Sequence, residues 1–359
     1  MRAWRVHEFG PLDNLRLEDI PRPEPGPNDV VIRIRSIGLN SSELQIVRGM
    51  YENDGMDTPF KWDSHLPRVP GIEGAGEVAA VGSDVTSHKV GDRVTVSYWF
   101  CCGECDLCRS GIENMCSQAA HFDTIQFGRT ADGAYAEYAR VPAPYAVPIP
   151  DGLAFQDAAA LTVAGGTAAN MLFAHADIRA DETVLVTGAA SNIGVIGLQL
   201  AKMAGARRIV ATAGSDEKLR KLEQLGADAT INHTETPDFA ERAIELNGGE
   251  GFDIVYDVPG GSTISPALHS VKPRGRIVLA GYMGGKTAEI NLVRIIIFEA
   301  RILGSASWTR PTLSWVLDLG ARKRIRPVID TVYDFEQLPE ALGRLERREV
   351  FGKVIVNVD

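Results

Sequence analysis

The chain has 359 residues, more than one core usually holds, so two domains are expected. With 37 Lys and Arg against 47 Asp and Glu it carries a formal charge of −10, which repels nucleic acid and anionic lipid and points to a small-molecule substrate. No apolar run reaches the ~20 residues of a bilayer span, and residues 1–10 lack the apolar core of a signal peptide; a cytoplasmic protein without membrane or nucleic-acid partners is expected.

In chain order, short β-like runs at 30–35, 76–81 and 93–98 alternate with clusters of Pro, Gly, Asn and Asp. They predict an antiparallel, barrel-like domain. The proline-rich run 21–27 reads as an extended connector, since proline fixes φ and cannot donate to a ladder. All five cysteines lie between Cys101 and Cys116, which marks a local metal site and not a disulfide framework. Cys102, Cys105, Cys108 and Cys116 are separated by two, two and seven residues. Four thiolates in one loop close a tetrahedral zinc site with no open position, the structural type. An iron–sulfur cluster is the competing reading, but neither a second cysteine run nor a following proline accompanies it. Cys101 is then a spare thiol beside the site.

A second proline cluster at 141–150 precedes an alanine-rich helical stretch at 155–173, and a domain boundary is expected between them. From Thr183 the runs TVLVT, IGVIGLQLAKM, RIVAT and EKLRKLEQLG alternate strand and helix patterns, with more strands expected at 253–256, 276–280 and 302–305. This is the signature of a doubly wound parallel sheet. The last strand-like run, 352–358, is expected to return to the first domain.

The strand TVLVT leads through Gly188, Ala189, Ala190, Ser191, Asn192, Ile193 and Gly194 directly into a helix. Backbone amides and the helix dipole at such a turn receive a pyrophosphate, so Gly188, Ala190, Ser191, Asn192, Ile193 and Gly194 are candidate cofactor contacts. The loop departs from G-x-G-x-x-G at Ser191, and a tight turn that binds nothing is the alternative. NAD binding calls for a carboxylate at the end of the second strand. Here the chain runs Ala211, Thr212, Ala213, Gly214, Ser215 before Asp216. Ser215 and Lys218 suit a 2′-phosphate through a hydroxyl and a positive charge, with Gly214 before them a further cofactor candidate, which favours NADPH and leaves NADH open.

The cysteine loop, GIEGAGEVAAVG at 71–82, VGDRV at 90–94 and GAYAEYARVP from Gly133 follow one another in an order that resembles the medium-chain dehydrogenase/reductase superfamily. The likeness spans essentially the whole chain. It implies an α/β protein with a GroES-like β-barrel catalytic domain at 1–150 and 326–359, holding the structural zinc. A Rossmann domain with a doubly wound parallel sheet is implied at 151–325, and an active site in the cleft. Zinc alcohol dehydrogenases of the family hold a catalytic zinc through an early cysteine, a histidine before Glu-Gly, and a later cysteine or acid. Aligned by motif, this chain has Asn40, Ile72 and Val163 there. None supplies a thiolate or imidazole, so a Lewis-acid zinc is not expected. A rearranged site of Glu73 with His65 or Asp63 is the competing reading.

What remains resembles the zinc-independent branch, which includes quinone oxidoreductases and 2-enoyl thioester reductases using NADPH. The segment 40–51 is similar to the enoyl reductase stretch ending in a catalytic tyrosine. It makes Tyr51 the first candidate proton donor and Asn40 a second catalytic candidate, with pocket lining as the alternative for Tyr51. The run 52–67 is longer than the family pattern and suggests a lid or pocket wall, while the cysteine lobe departs from the enoyl reductases. By resemblance, Thr167, Val258, Gly281 and Tyr282 approach the cofactor, Lys353 the pyrophosphate, and Trp308 or Ser305 the nicotinamide. The apolar stretch 292–298 with 302–305 is a candidate for sheet pairing between subunits of a homodimer or homotetramer. Three readings stand: a reductase of activated alkenes or quinones, which is favoured; an alcohol or carbonyl enzyme without the usual catalytic zinc; and a non-catalytic NADPH-binding protein.

Overall fold

A computed structural model describes residues 1–49, 65–117 and 126–359. In chain order its strands are β1 (Arg2–Val6), β2 (Leu15–Asp19), β3 (Asp29–Gly38), β4 (Gly74–Val81), β5 (Arg93–Val96), β6 (Tyr138–Pro142), β7 (Ala146–Pro148), β8 (Thr183–Thr187), β9 (Arg208–Ala213), β10 (Ala229–Asn232), β11 (Phe252–Asp257), β12 (Val271–Leu279), β13 (Arg301–Gly304), β14 (Ile329–Asp334) and β15 (Lys353–Asn357). They fall into two compact units. One comprises Met1–Val163, Trp308–Lys323 and Ile329–Asp359; the other comprises Ala164–Ser307 and Arg324–Val328.

The first unit is built on β3, which pairs antiparallel with β4, β6 and β15 in a sheet of order β14-β15-β3-β4-β5-β7. Against β4 its register shifts twice, between Val31 and Ile32 and between Ile34 and Ser36. Such bulges bend a strand and increase its twist, as a closing barrel wall requires. Val30, Ile32, Ile34, Val78, Val94 and Tyr135 fill the interior. The return of the C-terminal strand to this unit places Lys353 beside the end of β3. The unit boundary falls later than residue 150, within helix Phe155–Ala169. Its first half belongs to the barrel because Thr162 Oγ1 lies 2.7 Å from Thr95 Oγ1 and Leu161 packs on Gly320, where a Cβ would stand 2.5 Å from its methyl carbon. Helix Arg310–Ala321 belongs to the same unit.

The second unit holds a parallel sheet of order β10-β9-β8-β11-β12-β13. The central strands β8 and β11 are buried along their whole length, which is why their middles, VLV and IVY, read as apolar runs and not as alternations. Strand β12 begins five residues earlier than expected, because Val271 pairs with Phe252 before a register shift brings Arg276 opposite Ile254. Leu292–Phe298 is a helix, although its composition suits a strand. Asn291 caps it by accepting from Arg294 N at 3.2 Å, and the Arg294 side chain donates to the carbonyls of Leu268 and His269 at 2.8 and 2.7 Å. The helical stretch after Phe155 ends at Ala169 and continues as a π turn over Asn170–His175. No described helix is long and apolar enough to cross a membrane.

Candidate functional site

The four cysteine sulfurs all lie within 4.8 Å of one another. Separations of 3.9 Å for Cys102–Cys108, 3.9 Å for Cys105–Cys116 and 3.5 Å for Cys102–Cys116 agree with the ~3.8 Å edge of a tetrahedron of Zn–S bonds. Backbone amides of Cys105 and Cys108 donate to Cys102 Sγ and Cys105 Sγ at 3.3 and 3.5 Å, which stabilises thiolate ligands. The donor set fits a structural zinc, and among the described residues it is the one cluster with metal-holding geometry. Cys101 turns away, its Sγ donating to Glu113 O at 2.9 Å. Glu113 in turn accepts the backbone N–H of Arg310 at 2.6 Å and a guanidinium fork through Nε at 3.0 Å and Nη2 at 2.7 Å. Burial opposes the charge, but these bonds outweigh it and hold the Glu113 carboxyl below its usual range. The link joins residues 197 apart, and nothing local in the sequence announces it.

In the first unit, Asn40, Ile72 and Val163 are brought together around one buried carboxylate, Glu73. Val163 N donates to Glu73 Oε1 at 2.5 Å, and Asn40 Nδ2 donates to Glu73 Oε2 at 2.9 Å. Lys353 Nζ pairs with Glu73 Oε2 and donates to Asn40 Oδ1 at 2.8 Å. Asn40 also caps helix Ser41–Val47; its backbone N–H donates to Glu43 Oε2 at 2.7 Å, while Ile72 N donates to Glu43 Oε1 at 3.0 Å. Glu43, Glu73 and Lys353 are all buried. Strand β3 must end in glycine here, since a Cβ at Gly38 would lie 2.6 Å from Glu73 Oε2 and 2.7 Å from Lys353 Cε. Burial pushes the Glu73 carboxyl up, with Lys353 pulling it back, and pushes Glu43 up to about 7.

A catalytic zinc does not fit this centre. Its three ligand positions carry a carboxamide and two buried aliphatic side chains, and both Glu73 oxygens already accept hydrogen bonds. His65 is exposed and Glu73 fully buried, so they do not form a rearranged site; Asp63 lies outside the described residues. Lys353 is a correction to the expected pyrophosphate contact: its side chain is enclosed, and its ammonium is engaged by Glu73 and Asn40. Asn40, expected as a catalytic group, has both ends of its carboxamide spent on holding that pair. Tyr51 and most of the 52–67 run lie outside the described residues.

In the second unit, Gly188 adopts φ +61°, which favours glycine. Its amide reaches Thr212 Oγ1 at 3.3 Å, and Ala189 N bonds Thr212 O at 3.0 Å. Ser191, which stands in for a glycine, caps helix Asn192–Met203: its Oγ accepts from Gly194 N at 3.1 Å and donates to Gly188 O at 2.8 Å. A Cβ on Gly194 would sit 2.6 Å from Ala189 Cα, so loop and helix approach as closely as a phosphate cradle demands. Ala190 and Asn192 are buried and Ile193 half-buried, its carbonyl accepting from Tyr256 Oη at 3.1 Å.

At the end of β9, Ser215 caps helix Asp216–Leu225, accepting from Lys218 N at 3.5 Å. Asp216, the first carboxylate, accepts from Asn232 Nδ2 at 3.0 Å. His233 Nε2 and Thr234 Oγ1 each lie 3.3 Å from the Cβ direction of Gly214; sequence reasoning missed both, because they arrive from the loop after β10. Val258 and Gly281 meet closely, a Cβ on Gly281 falling 2.1 Å from Val258 O, and Tyr282 beside them is half-buried. Thr167 is buried one helical turn before Asn170, which donates to Ser305 Oγ at 2.9 Å. Trp308 belongs to the first unit and packs edge-on to Tyr98, ring centroids 5.3 Å apart.

Comparison with known proteins agrees with this geometry. Residues 26–151 match the family described as alcohol dehydrogenase GroES-like domain, and residues 192–322 match zinc-binding dehydrogenase. An alcohol dehydrogenase of Geobacillus stearothermophilus is 31% identical over 360 residues, covering 100% of both chains. A quinone oxidoreductase of Pseudomonas aeruginosa is 34% identical over 310 residues, covering 86% of this chain and 81% of that one. A solved NAD-dependent alcohol dehydrogenase superposes with a TM-score of 0.91 at 33% identity over 100% of each chain. The chain therefore belongs to the medium-chain dehydrogenase/reductase superfamily and is one of its NAD(P)-dependent oxidoreductases.

Proposed function

We propose that the chain is an NADPH-dependent reductase that reduces an activated carbon–carbon double bond, in an enone or enoyl compound, or a quinone, without a catalytic metal. The observation that carries this reading is the centre around Glu73, where Asn40, Ile72 and Val163 offer no thiolate or imidazole and Lys353 already balances the carboxylate. An isolated carbonyl concentrates charge on one oxygen as hydride arrives and depends on a strong electrophile there. A conjugated alkene or quinone spreads that charge over the acceptor itself.

When bound, the reduced nicotinamide supplies the hydride. The residues at 188–194 hold the pyrophosphate at the helix N-terminus, and Ser215 and Lys218 receive the 2′-phosphate. Thr167 orients the nicotinamide end. For an activated alkene, Tyr51 or water gives a proton to the carbon next to the one that accepts hydride, completing addition of two hydrogens across the bond; for a quinone the proton goes to oxygen and the product is the hydroquinone. Whole-length similarity to an alcohol dehydrogenase favours a second reading, carbonyl reduction without metal. The enzyme is further proposed to be cytoplasmic and to assemble as a homodimer or homotetramer, the assembly supported by the exposed apolar helix Leu292–Phe298.

Oxidation of NADPH by protein treated with a chelator, offered a quinone, an enone and an aldehyde in turn, tests the proposal. Turnover of the quinone or enone supports it. Turnover of the aldehyde alone replaces it with the second reading.

A further inference from the structure

We infer that Asp257 is a positioning residue for the nicotinamide cofactor, its carboxylate tying together the loops that follow β8 and β11. The inference rests on membership of a nicotinamide-dependent family and is independent of which substrate is reduced.

The strand order β10-β9-β8-β11-β12-β13 reverses its winding between β8 and β11. Open parallel sheets bind ligands outside the carboxyl ends of the strands at that point. Thr187 ends β8, Asp257 ends β11, and the two are register partners there. Thr187 Oγ1 donates to Asp257 Oδ2 at 2.8 Å, and Thr263 Oγ1 donates to the same oxygen at 2.6 Å. Gly260 N donates to Oδ1 at 2.7 Å. Asp257 is fully buried, and its partners are two hydroxyls and one amide. Burial accordingly pushes its carboxyl above the usual range.

A buried carboxyl without a cation is costly, and an apolar residue would fill the end of a central strand at less expense. What the carboxyl adds is geometry. Thr187 immediately precedes Gly188, and a Cβ on Gly188 would stand 2.8 Å from Pro259 Cγ, so the two loops touch. Gly260 is held at φ +66° by its bond to Asp257. Gly284 N then bonds Pro259 O at 2.9 Å and Ser262 N bonds Gly284 O at 3.1 Å, which ties in the loop after β12. One side chain thus sets the spacing of three loops at the mouth of the crevice, which hold the cofactor candidates Gly188, Val258 and Gly281 in turn.

The test is the dissociation constant of NADPH for the wild type, D257A, T263V and D257N, read from tryptophan fluorescence with no substrate present, alongside thermal melting. We expect D257A to bind about tenfold more weakly and T263V about threefold more weakly. D257N keeps an acceptor for Gly260 N while the hydroxyls reorient, and binding within about threefold of wild type is expected. Wild-type affinity in T263V together with a folded D257A overturns the inference, as does a folded D257N that binds no better than D257A. If D257A does not fold, T263V decides alone: weakened binding supports the inference and unchanged binding overturns it. Failure of every enone and quinone to turn over bears on the proposed reaction and leaves this result untouched.

Discussion

Lys353 and Glu73, 280 residues apart in sequence, form an ion pair whose side chains are 1% and 0% exposed. Breaking such a pair leaves an uncompensated buried charge. Lys353→Met is expected to lower unfolding stability by about 3–5 kcal/mol. Lys353→Met with Glu73→Gln is expected to recover most of the loss, because the Asn40 carboxamide can flip to face a neutral partner. Urea unfolding of the zinc-replete variants reads this directly. A double variant no more stable than Lys353→Met alone means that the pair is not what holds this centre.

Glu43 gives the centre a pH dependence. Burial raises its carboxyl from 4.5 to about 7, opposed by the N–H groups of Asn40 and Ile72 and by Lys353. The folded state therefore binds this proton more tightly than the unfolded state. The stability it contributes is complete below about pH 4.5 and is lost as pH rises through about 7, a change on the order of 3 kcal/mol. Followed by urea unfolding from acid to mildly alkaline pH, wild type should lose that amount of stability relative to Glu43→Gln, which does not titrate. A constant difference across the range contradicts the assignment.

Cofactor choice is expected to follow the turn after β9. On the proposed NADPH reading, Lys218→Ala should weaken NADPH by about tenfold and leave NADH unchanged, since the ammonium would meet only the 2′-phosphate. Ser215→Asp should reverse the preference by supplying a carboxylate for ribose hydroxyls and repelling the phosphate. Titrations of both nucleotides against each variant check this, and equal losses for the two would contradict it.

The helix Leu292–Phe298 leaves Leu292, Val293, Ile296 and Ile297 between 63% and 72% exposed. In the proposed assembly this apolar face is the surface through which the subunits associate. The wild type is expected to sediment as a dimer, and Ile296→Glu with Ile297→Glu as a monomer of unchanged circular dichroism. A wild-type monomer would remove the assignment.

Much of this architecture was legible because its determinants are local. The parallel strands announce themselves as short apolar runs buried on both faces, as in TVLVT at Thr183–Thr187. The zinc ligands sit in one loop of fifteen residues. What the sequence hid depends on distant partners: the resemblance put Lys353 at the pyrophosphate, whereas β15 places it against Glu73, and Arg310 meets Glu113 across 197 residues. Leu292–Phe298 has a strand's composition, and the Asn291 cap with the Arg294 bonds to Leu268 and His269 overrides it. Asp257 falls just past the strand expected at 253–256 and nothing local marks it, because its partners Thr187 and Thr263 reach it through the sheet register and a turn.

Zinc per chain, measured by elemental analysis on dialysed wild type and on Cys102→Ser, tests the central claim most directly. One zinc in the wild type and none in the variant is the predicted result, with the whole of the metal in the cysteine lobe. Two zincs in the wild type, one of them surviving in Cys102→Ser, would show that the centre around Asn40, Glu73 and Lys353 holds a metal after all.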